Sequence, residues 1–258
     1  MSCGLGDVYK RQGFDDLAVQ TGRPIVMYDQ LGCGRSSIPD DDQLWQAATW
    51  VAELQALRTY LDLPEIHLLG QSWGGMLAII YGCDYRPQGI KSLILASTLS
   101  SARLWAQEQH RMIRLMSPAD QSAIATAERL QDFTGAAYLT ANQHFMTQHA
   151  SGPITADDPE FLRRSKRVGT TAYNVAWGPN EYNPTGTLAD YEYTDRLQYL
   201  QMPTLVTSGT DDLCTPLVAK TMVDQLPHAT WTLFPRSRHM AFIDENTTYM
   251  TLSLIHIS

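Results

Sequence analysis

The sequence predicts an α/β protein whose parallel sheet carries helices on both faces. Three observations lead to this fold class. Short apolar runs of strand length alternate with helical segments, a Gly-x-Ser-x-Gly turn joins one run to the helix after it, and two late runs precede an acidic pair and a histidine. Strands that alternate with helices imply βαβ crossovers, which make the strands parallel and cover both faces of the sheet.

The predicted elements follow one another along the chain in this alternating order. The strands are short apolar runs, predicted at residues 24–29, 66–69, 91–96, 203–208 and 229–234. The helices are predicted at 13–21, after the N-cap candidates at 40–42, at 75–81, at 216–226 and from about 240 onward. The second helix has apolar residues at three- and four-residue steps, namely Leu44, Ala48, Val51, Leu54, Leu57 and Leu61, and Pro64 ends it.

The alternation stops between residues 101 and 193, where the sequence is helix-rich and polar. We interpret this stretch as a helical lid inserted between two sheet strands, a common place for segments that carry specificity. The predicted organisation is an α/β core of residues 13–100 and 194–252, interrupted by the lid 101–193. Residues 1–12 show no helical or strand period, and residues 253–258 interrupt the expected last helix. We expect both tails to be foreign and the early strands of the sheet to be missing.

Composition excludes several classes of function. The chain has 258 residues, 44% of them hydrophobic and 18% charged, and a net charge of −8. An acidic protein is a poor partner for nucleic acid or an anionic membrane, and no stretch reaches the apolar length of a transmembrane helix. Its widely spaced cysteines predict thiols of a reducing compartment, here taken as the cytoplasm, rather than disulfides or a zinc site: Cys3, Cys33, Cys83 and Cys214.

The turn at residues 70–74 reads Gly-Gln-Ser-Trp-Gly. A strand, Gly-x-Ser-x-Gly and a helix form a nucleophile elbow, a sharp turn that raises a serine hydroxyl above the carboxyl end of a sheet. Glycine suits positions 70 and 74 because a side chain there would collide with the strand or the helix. We therefore predict Ser72 as a nucleophile, with a serine at a glycine-rich helix start as the alternative.

A serine nucleophile needs a base within reach and an acid that orients the base. In this arrangement both follow late strands, in the order Ser, Asp or Glu, His. His239 follows the strand at 229–234, and Asp211 and Asp212 follow the strand at 203–208, which predicts a triad of Ser72, Asp212 and His239 with Asp211 as the alternative acid. The N–H of Trp73 is the expected oxyanion donor. His67 lies within a predicted strand and is expected to be packed or at an edge. The other histidines are expected to be solvated, namely His110, His144, His149 and His228.

At these residues the chain resembles the α/β-hydrolase fold and, within it, the proline iminopeptidase family of serine peptidases. The matching motifs are Asp-Gln-Leu-Gly-Cys-Gly-Arg-Ser at 29–36, Gly-Gln-Ser-Trp-Gly-Gly at 70–75, Gly-Pro-Asn-Glu-Tyr at 178–182, Gly-Thr-Asp-Asp at 209–212 and Arg-His-Met at 238–240. The resemblance covers roughly residues 13–250. It selects Asp212 as the acid and implies release of N-terminal residues, often proline, from short peptides without metal or cofactor.

The resemblance also implies a substrate site. In the branch that carries Gly-Pro-Asn-Glu, the lid glutamate anchors the free amine of the substrate, and Glu181 matches it. A carboxylate in a partly closed site pairs well with an ammonium group, although a solvated lid carboxylate is the alternative. Trp177 and Tyr182 are expected to line an apolar slot or, alternatively, to pack lid helices. Two features depart from the family: Leu213 stands where that branch has a second glutamate, and the His-Gly-Gly-Pro-Gly stretch with the second oxyanion donor is absent.

Three functions remain open at the level of sequence. The first is a serine aminopeptidase acting on small peptides, which the complete triad favours. The second is an amino-acid amidase or esterase on the same scaffold, which the loss of one carboxylate at Leu213 favours. The third is a binding protein or an inert fragment, which the missing oxyanion stretch favours. We expect the first, with a peptide or amino-acid amide as substrate and an undetermined oligomeric state.

Overall fold

The computed structural model describes residues 14–153, 155–156, 163 and 168–257. Within them a parallel sheet has the strand order β1-β2-β3-β4. The strands are β1 (Ile66–Gln71), β2 (Ile90–Ala96), β3 (Thr204–Gly209) and β4 (Ala229–Phe234). Each of these four strands was predicted from its apolar run, and the structure confirms them within two residues of the predicted bounds.

Helices connect the strands and continue after the last of them. The α-helices are α1 (Asp15–Thr21), α2 (Ala47–Tyr60), α3 (Trp73–Ile80), α4 (Ala102–Ile113), α5 (Pro118–Leu130), α6 (Ala136–His149), α7 (Thr170–Ala176), α8 (Pro216–Gln225), α9 (Ala241–Asp244) and α10 (Asn246–Ile257). Helices α4 to α7 lie between β2 and β3, in the stretch expected to form the lid. A bridge between Ser101 and Glu192 joins the two ends of that stretch. Among the described residues, no helix is both long and apolar enough to cross a bilayer.

The sheet separates two apolar clusters. Along β2 the side chains alternate, so that Leu93 and Leu95 join one cluster while Ile94 and Ala96 join the other. The first cluster contains α2, α3 and the helices between β2 and β3. The second contains α1 and the C-terminal helices. Helices therefore cover both faces, as the βαβ pattern predicts.

The prediction of a strand at residues 24–29 is wrong. Residues 22–30 follow α1 without regular structure, and within the described chain β1 pairs with β2 alone. A cavity of about 680 Å³ is lined both by β1 and by residues 23–27. An apolar run becomes a strand only where a neighbour pairs with its N–H and C=O groups, so this run stays outside the sheet.

Two helix boundaries also differ from the prediction. The Asp41 carboxylate accepts the N–H of Gln43 and begins a 3₁₀ turn at Asp42–Leu44, so α2 starts only at Ala47. At the other end, α10 runs on to Ile257, and the expectation that residues 253–258 interrupt the last helix is wrong. The hydroxyl of Ser253 bonds within the helix, and Ile257 is buried in the second cluster, so both residues fit the helix. Residues 1–12 and residue 258 lie outside the described part of the chain.

Candidate active site

Ser72 occupies a strained turn between β1 and α3. Its φ of 55° lies in the left-handed region that side chains rarely adopt. Two backbone hydrogen bonds hold the residue, because its N–H donates to Ala96 O and its carbonyl accepts the Thr98 hydroxyl at 2.7 Å. A Cβ added at Gly70 would lie 2.2 Å from Gly74 O, so glycine is required there.

Asp212 and His239 are joined directly. His239 Nδ1 lies 2.7 Å from Asp212 Oδ1. The carboxylate is buried, but the Ser97 hydroxyl donates to Oδ2 at 2.6 Å, and the N–H groups of Gly209 and Cys214 donate to Oδ2 and Oδ1 at 3.1 and 2.9 Å. An anion with both oxygens satisfied can remain ionised without bulk water. A proton on Nδ1 facing Asp212 leaves Nε2 of His239 as a proton acceptor.

The structure brings the three residues of the predicted triad to one place. Ser72 and His239 line the same cavity, and Asp212 lies behind His239. The Gln71 side chain donates to the backbone carbonyl of His239 at 3.1 Å, which ties the histidine loop to the end of β1. Asp211, the alternative acid, is exposed, so the geometry favours Asp212.

Trp73 combines two contacts beside the nucleophile. Its backbone N–H follows Ser72 at the start of α3, the position of an oxyanion donor. Its indole Nε1 donates to Gln30 Oε1 at 3.0 Å, so the glycine-rich loop after residue 29 holds the tryptophan. The ring also meets Trp50 edge to face at 5.1 Å between centroids. Among the described residues, no group of three His, Cys, Asp or Glu side chains is arranged to hold a metal ion.

The cavity beside Ser72 is mostly apolar and has a volume of about 350 Å³. Its apolar and aromatic wall includes Trp50, Trp73, Met76, Leu99, Trp105, Tyr173, Trp177 and Leu188. Trp105 meets His239 edge to face, with 6.4 Å between ring centroids. The cavity therefore presents an apolar pocket directly next to Ser72 and His239.

Glu181 supplies a carboxylate to this apolar wall. The Tyr173 hydroxyl donates to its Oε1 at 3.0 Å, and Trp105 Nε1 donates to its backbone carbonyl at 2.7 Å. Burial raises the pKa of the Glu181 carboxyl above its usual range, while the charge of His239 and the Tyr173 hydroxyl oppose that shift. A cation bound in the cavity would stabilise the ionised form of Glu181.

Trp177 and Tyr182 lie in different surroundings. Trp177 lines the cavity, and its indole Nε1 is buried without a hydrogen-bond partner in the described structure. Tyr182 is fully buried between lid helices, where its ring packs against Phe145 and its hydroxyl donates to Asn142. The structure thus places Trp177 against the cavity and Tyr182 among the lid helices, the alternative that the sequence left open.

Sequence reasoning missed Ser97, Gln71 and Tyr173. Ser97 follows β2 at the carboxyl edge of the sheet, where polar residues often face a site, and that position could have identified it. Gln71 stands within the recognised turn, directly before the nucleophile. Tyr173 gave no signal, since nothing in the sequence indicates that a side chain of α7 meets Glu181.

Comparison with known proteins places the chain in a family. The α/β-hydrolase fold family matches residues 3–246. The proline iminopeptidase of Lactiplantibacillus plantarum is 98% identical over 240 residues, which cover 93% of this chain and 84% of that protein. The chain belongs to the proline iminopeptidase family of α/β hydrolases. The proline iminopeptidase of Levilactobacillus brevis is 73% identical over 238 residues, which cover 92% of this chain and 80% of that protein.

Solved structures agree with this assignment. The crystal structure of proline iminopeptidase from Mycobacterium smegmatis has a TM-score of 0.85 and 28% identity, covering 99% of this chain and 86% of that chain. The crystal structure of VinJ has a TM-score of 0.88 and 27% identity, covering 99% of this chain and 88% of that chain. The predicted α/β-hydrolase fold and the predicted hydrolase class are thereby confirmed.

Proposed function

We propose that this chain is a serine aminopeptidase that releases N-terminal residues, preferably proline, from short peptides through Ser72, His239 and Asp212. The observation that carries the proposal is the 2.7 Å contact between His239 Nδ1 and Asp212 Oδ1, with His239 and Ser72 in one cavity wall. The name shared by the curated relatives supports proline as the preferred residue.

The proposed reaction begins when His239 Nε2 takes the proton of the Ser72 hydroxyl. The Ser72 oxygen attacks the carbonyl carbon, and the Trp73 N–H stabilises the negative charge on the carbonyl oxygen. His239 then gives its proton to the leaving amine as the C–N bond breaks, which leaves an acyl-enzyme on Ser72. In the second half His239 takes a proton from water as the water oxygen attacks the acyl carbon, and it returns that proton to the Ser72 oxygen as the ester bond breaks. Asp212 keeps the proton of His239 on Nδ1 throughout.

Glu181 is the proposed anchor of the substrate's N-terminus. Its carboxylate pairs with the protonated imino or amino group, and the rings of Trp105, Tyr173 and Trp177 enclose the substrate ring or side chain. Peptides whose N-terminus is blocked lose that ion pair and leave a buried carboxylate unpaired. The expected partners are therefore small peptides or amino-acid amides with a free N-terminus.

The lid role of residues 101–193 and the cellular location are also proposals. The stretch supplies Trp105, Tyr173, Trp177 and Glu181 to the cavity, whereas Ser72 and His239 follow the sheet strands β1 and β4, and this supports a lid over the site. The buried thiols of Cys83 and Cys214 are compatible with a reducing compartment, and the cytoplasm stays a prediction.

The test compares proline p-nitroanilide with its N-acetylated analogue. We expect turnover of the unblocked substrate only, and loss of that turnover in Ser72→Ala. In Glu181→Gln we expect a KM increase of tenfold or more for the unblocked substrate, because a charge-assisted contact contributes about 1.5–3 kcal/mol. Equal rates with both substrates would refute the anchoring role of Glu181. Full activity of Ser72→Ala would refute the triad.

Leu213 supports a second candidate, the hydrolysis of amino-acid amides or esters. It is buried and brings no second carboxylate to the amine, and among the described residues that line the cavity Glu181 is the one that carries a carboxylate. Matched proline methyl ester, proline amide and Pro-Ala substrates separate the two candidates. A peptide rate far below the ester and amide rates would favour the second.

A further inference from the structure

The turn that carries the catalytic acid lies against two lid helices. We call residues 209–215, between β3 and α8, the acid turn. Helices α4 and α6 of the lid stretch make side-chain and backbone hydrogen bonds to this turn on both sides of Asp212.

The contact from α4 is made by Gln109. This side chain is fully buried, and its Nε2 donates to the backbone carbonyl of Leu213 at 2.7 Å. One residue earlier, Glu108 accepts the Thr215 hydroxyl at 2.7 Å and pairs with Arg111. Two consecutive residues of α4 therefore make hydrogen bonds to the acid turn.

The contact from α6 is made by His149, a histidine expected to be solvated. The structure buries it against Phe145, with Nδ1 3.0 Å from the backbone carbonyl of Asp211. The Leu213 N–H donates to the carbonyl of His149 at 3.2 Å, so two hydrogen bonds join His149 to the acid turn. Burial lowers the pKa of His149, and because a carbonyl oxygen can only accept, Nδ1 carries the proton and donates to Asp211 O.

These contacts affect the position of Asp212 through the backbone of the turn. The carboxylate accepts N–H groups of Gly209 and Cys214, which belong to the same turn, so the path of the turn sets where the carboxylate lies. The lid holds the carbonyls on either side, at Asp211 and Leu213. Loss of the Gln109 and His149 contacts would therefore change the path of the turn around Asp212.

We propose that Gln109 and His149 are positioning residues, through which the lid keeps Asp212 in hydrogen-bonding geometry with His239. The inference rests on the proposed triad. The lid thus has a second role besides enclosing the substrate, because the orientation of the catalytic base depends on how α4 and α6 are seated on the acid turn.

The test uses Gln109→Met, which preserves the volume of the side chain and removes the donor. Its matched control is Gln121→Met on α5, where the amide donates to Arg114 O and Met116 O within the lid, away from the acid turn. His149→Phe is a second variant that keeps an apolar ring beside Phe145. The readouts are the rate of Ser72 labelling by a fluorophosphonate and the low-field proton NMR signal of His239 Nδ1, with Tm as the measure of folding.

We expect Gln109→Met and His149→Phe to slow labelling about tenfold to a hundredfold, since a displacement of about 1 Å of a catalytic group costs roughly that much. The low-field signal should weaken or disappear in both, while Gln121→Met keeps both readouts at comparable Tm. An unchanged signal and labelling rate in folded Gln109→Met and His149→Phe would overturn the proposal. Asp212→Asn is the separate arm for the triad: labelling as fast as in the parent chain would refute the triad itself.

Discussion

At the scale of single residues, the active site depends on how each polar atom around Asp212 is satisfied. The Ser97 hydroxyl provides one of the bonds to the carboxylate, from a residue whose φ is 48°. A positive φ of this size costs free energy for any residue other than glycine, and it is retained only where the surrounding structure enforces it. Ser97 therefore orients the acid at the expense of local strain.

Substitution of Ser97 tests this role. Ser97→Ala removes the hydroxyl and keeps the backbone strain, while Ser97→Gly removes both. We expect both variants to lose the same factor in kcat with little change in KM, because they lack the same bond to Asp212. Ser97→Ala should also unfold about 1.5–3 kcal/mol more easily, the usual contribution of a bond to a charged group, and Ser97→Gly should recover part of that loss. If kcat were higher in Ser97→Gly than in Ser97→Ala, in line with its higher stability, this role of the hydroxyl would be contradicted.

The raised pKa of Glu181 predicts how substrate binding depends on pH. In the proposed function the carboxylate form of Glu181 binds the substrate's ammonium group, and this form is lost as the pH falls through the raised pKa of Glu181. We therefore expect KM for proline p-nitroanilide to rise on acidification, beginning at a higher pH than an exposed glutamate would give. Glu181→Gln should show a flat KM over the same range. A pH-dependent KM that survives in Glu181→Gln would assign the effect to another group.

At the scale of elements, the turn around Ser72 brings the backbones of β1 and α3 so close together that only glycine fits between them. Gly70→Ala should place a methyl group 2.2 Å from Gly74 O, so either β1 or α3 must move. We expect a loss of about 2 kcal/mol or more and a Tm lower by roughly 4–8 °C, together with loss of Ser72 reactivity.

Gly135 supplies the matched control for that substitution. It precedes α6 with ordinary backbone angles, and an added Cβ meets nothing within 4 Å. Gly135→Ala should leave both Tm and labelling nearly unchanged. If Gly70→Ala behaved like Gly135→Ala, the close packing of the elbow would not be what requires glycine.

At the scale of the whole molecule, the burial of Glu53 predicts a pH dependence of stability. Its Oε1 accepts the N–H of Leu31, while Oε2 is buried without a hydrogen-bond partner within the described structure. Burial raises its pKa from 4.5 to about 7, against the smaller opposing effect of the Leu31 N–H. Because the folded protein binds this proton more tightly than the unfolded chain, the contribution of Glu53 to stability is most favourable below pH 4.5 and declines as the pH rises to about 7.

Glu53→Gln removes this dependence and keeps an acceptor for the Leu31 N–H. We expect its Tm to exceed that of the parent chain at pH 8, with the difference shrinking toward pH 5. Thermal unfolding between pH 5 and 8 measures it, and Glu65→Gln, at an exposed site, serves as the control with no such trend. A Tm difference that is the same at pH 5 and pH 8 would show that Glu53 is not the group responsible.

Local pattern was sufficient for much of the fold and for the candidate triad. The apolar runs of β1 to β4 and the turn around Ser72 depend on neighbours in sequence, so their structure can be predicted from sequence. The order of nucleophile, acid and base along the chain, with Asp212 and His239 each after a strand, was enough to predict which side chains meet. The run at 24–29 failed because strand formation depends on a partner that the run itself does not specify.

The sequence by itself determined the α/β class, the elbow serine and the placement of the acid and the base after late strands, because these follow from periodicity and spacing. Only the tertiary structure decided that Ser97 bonds Asp212, that Tyr173 meets Glu181, that Tyr182 packs away from the cavity, and that His149 is buried against the acid turn. The contacts of Ser97 and His149 join elements far apart in the chain, and the Tyr173 hydroxyl bonds to Glu181 across the loop that follows α7. Tertiary packing creates these contacts, and no local pattern encodes which side chains that packing brings together.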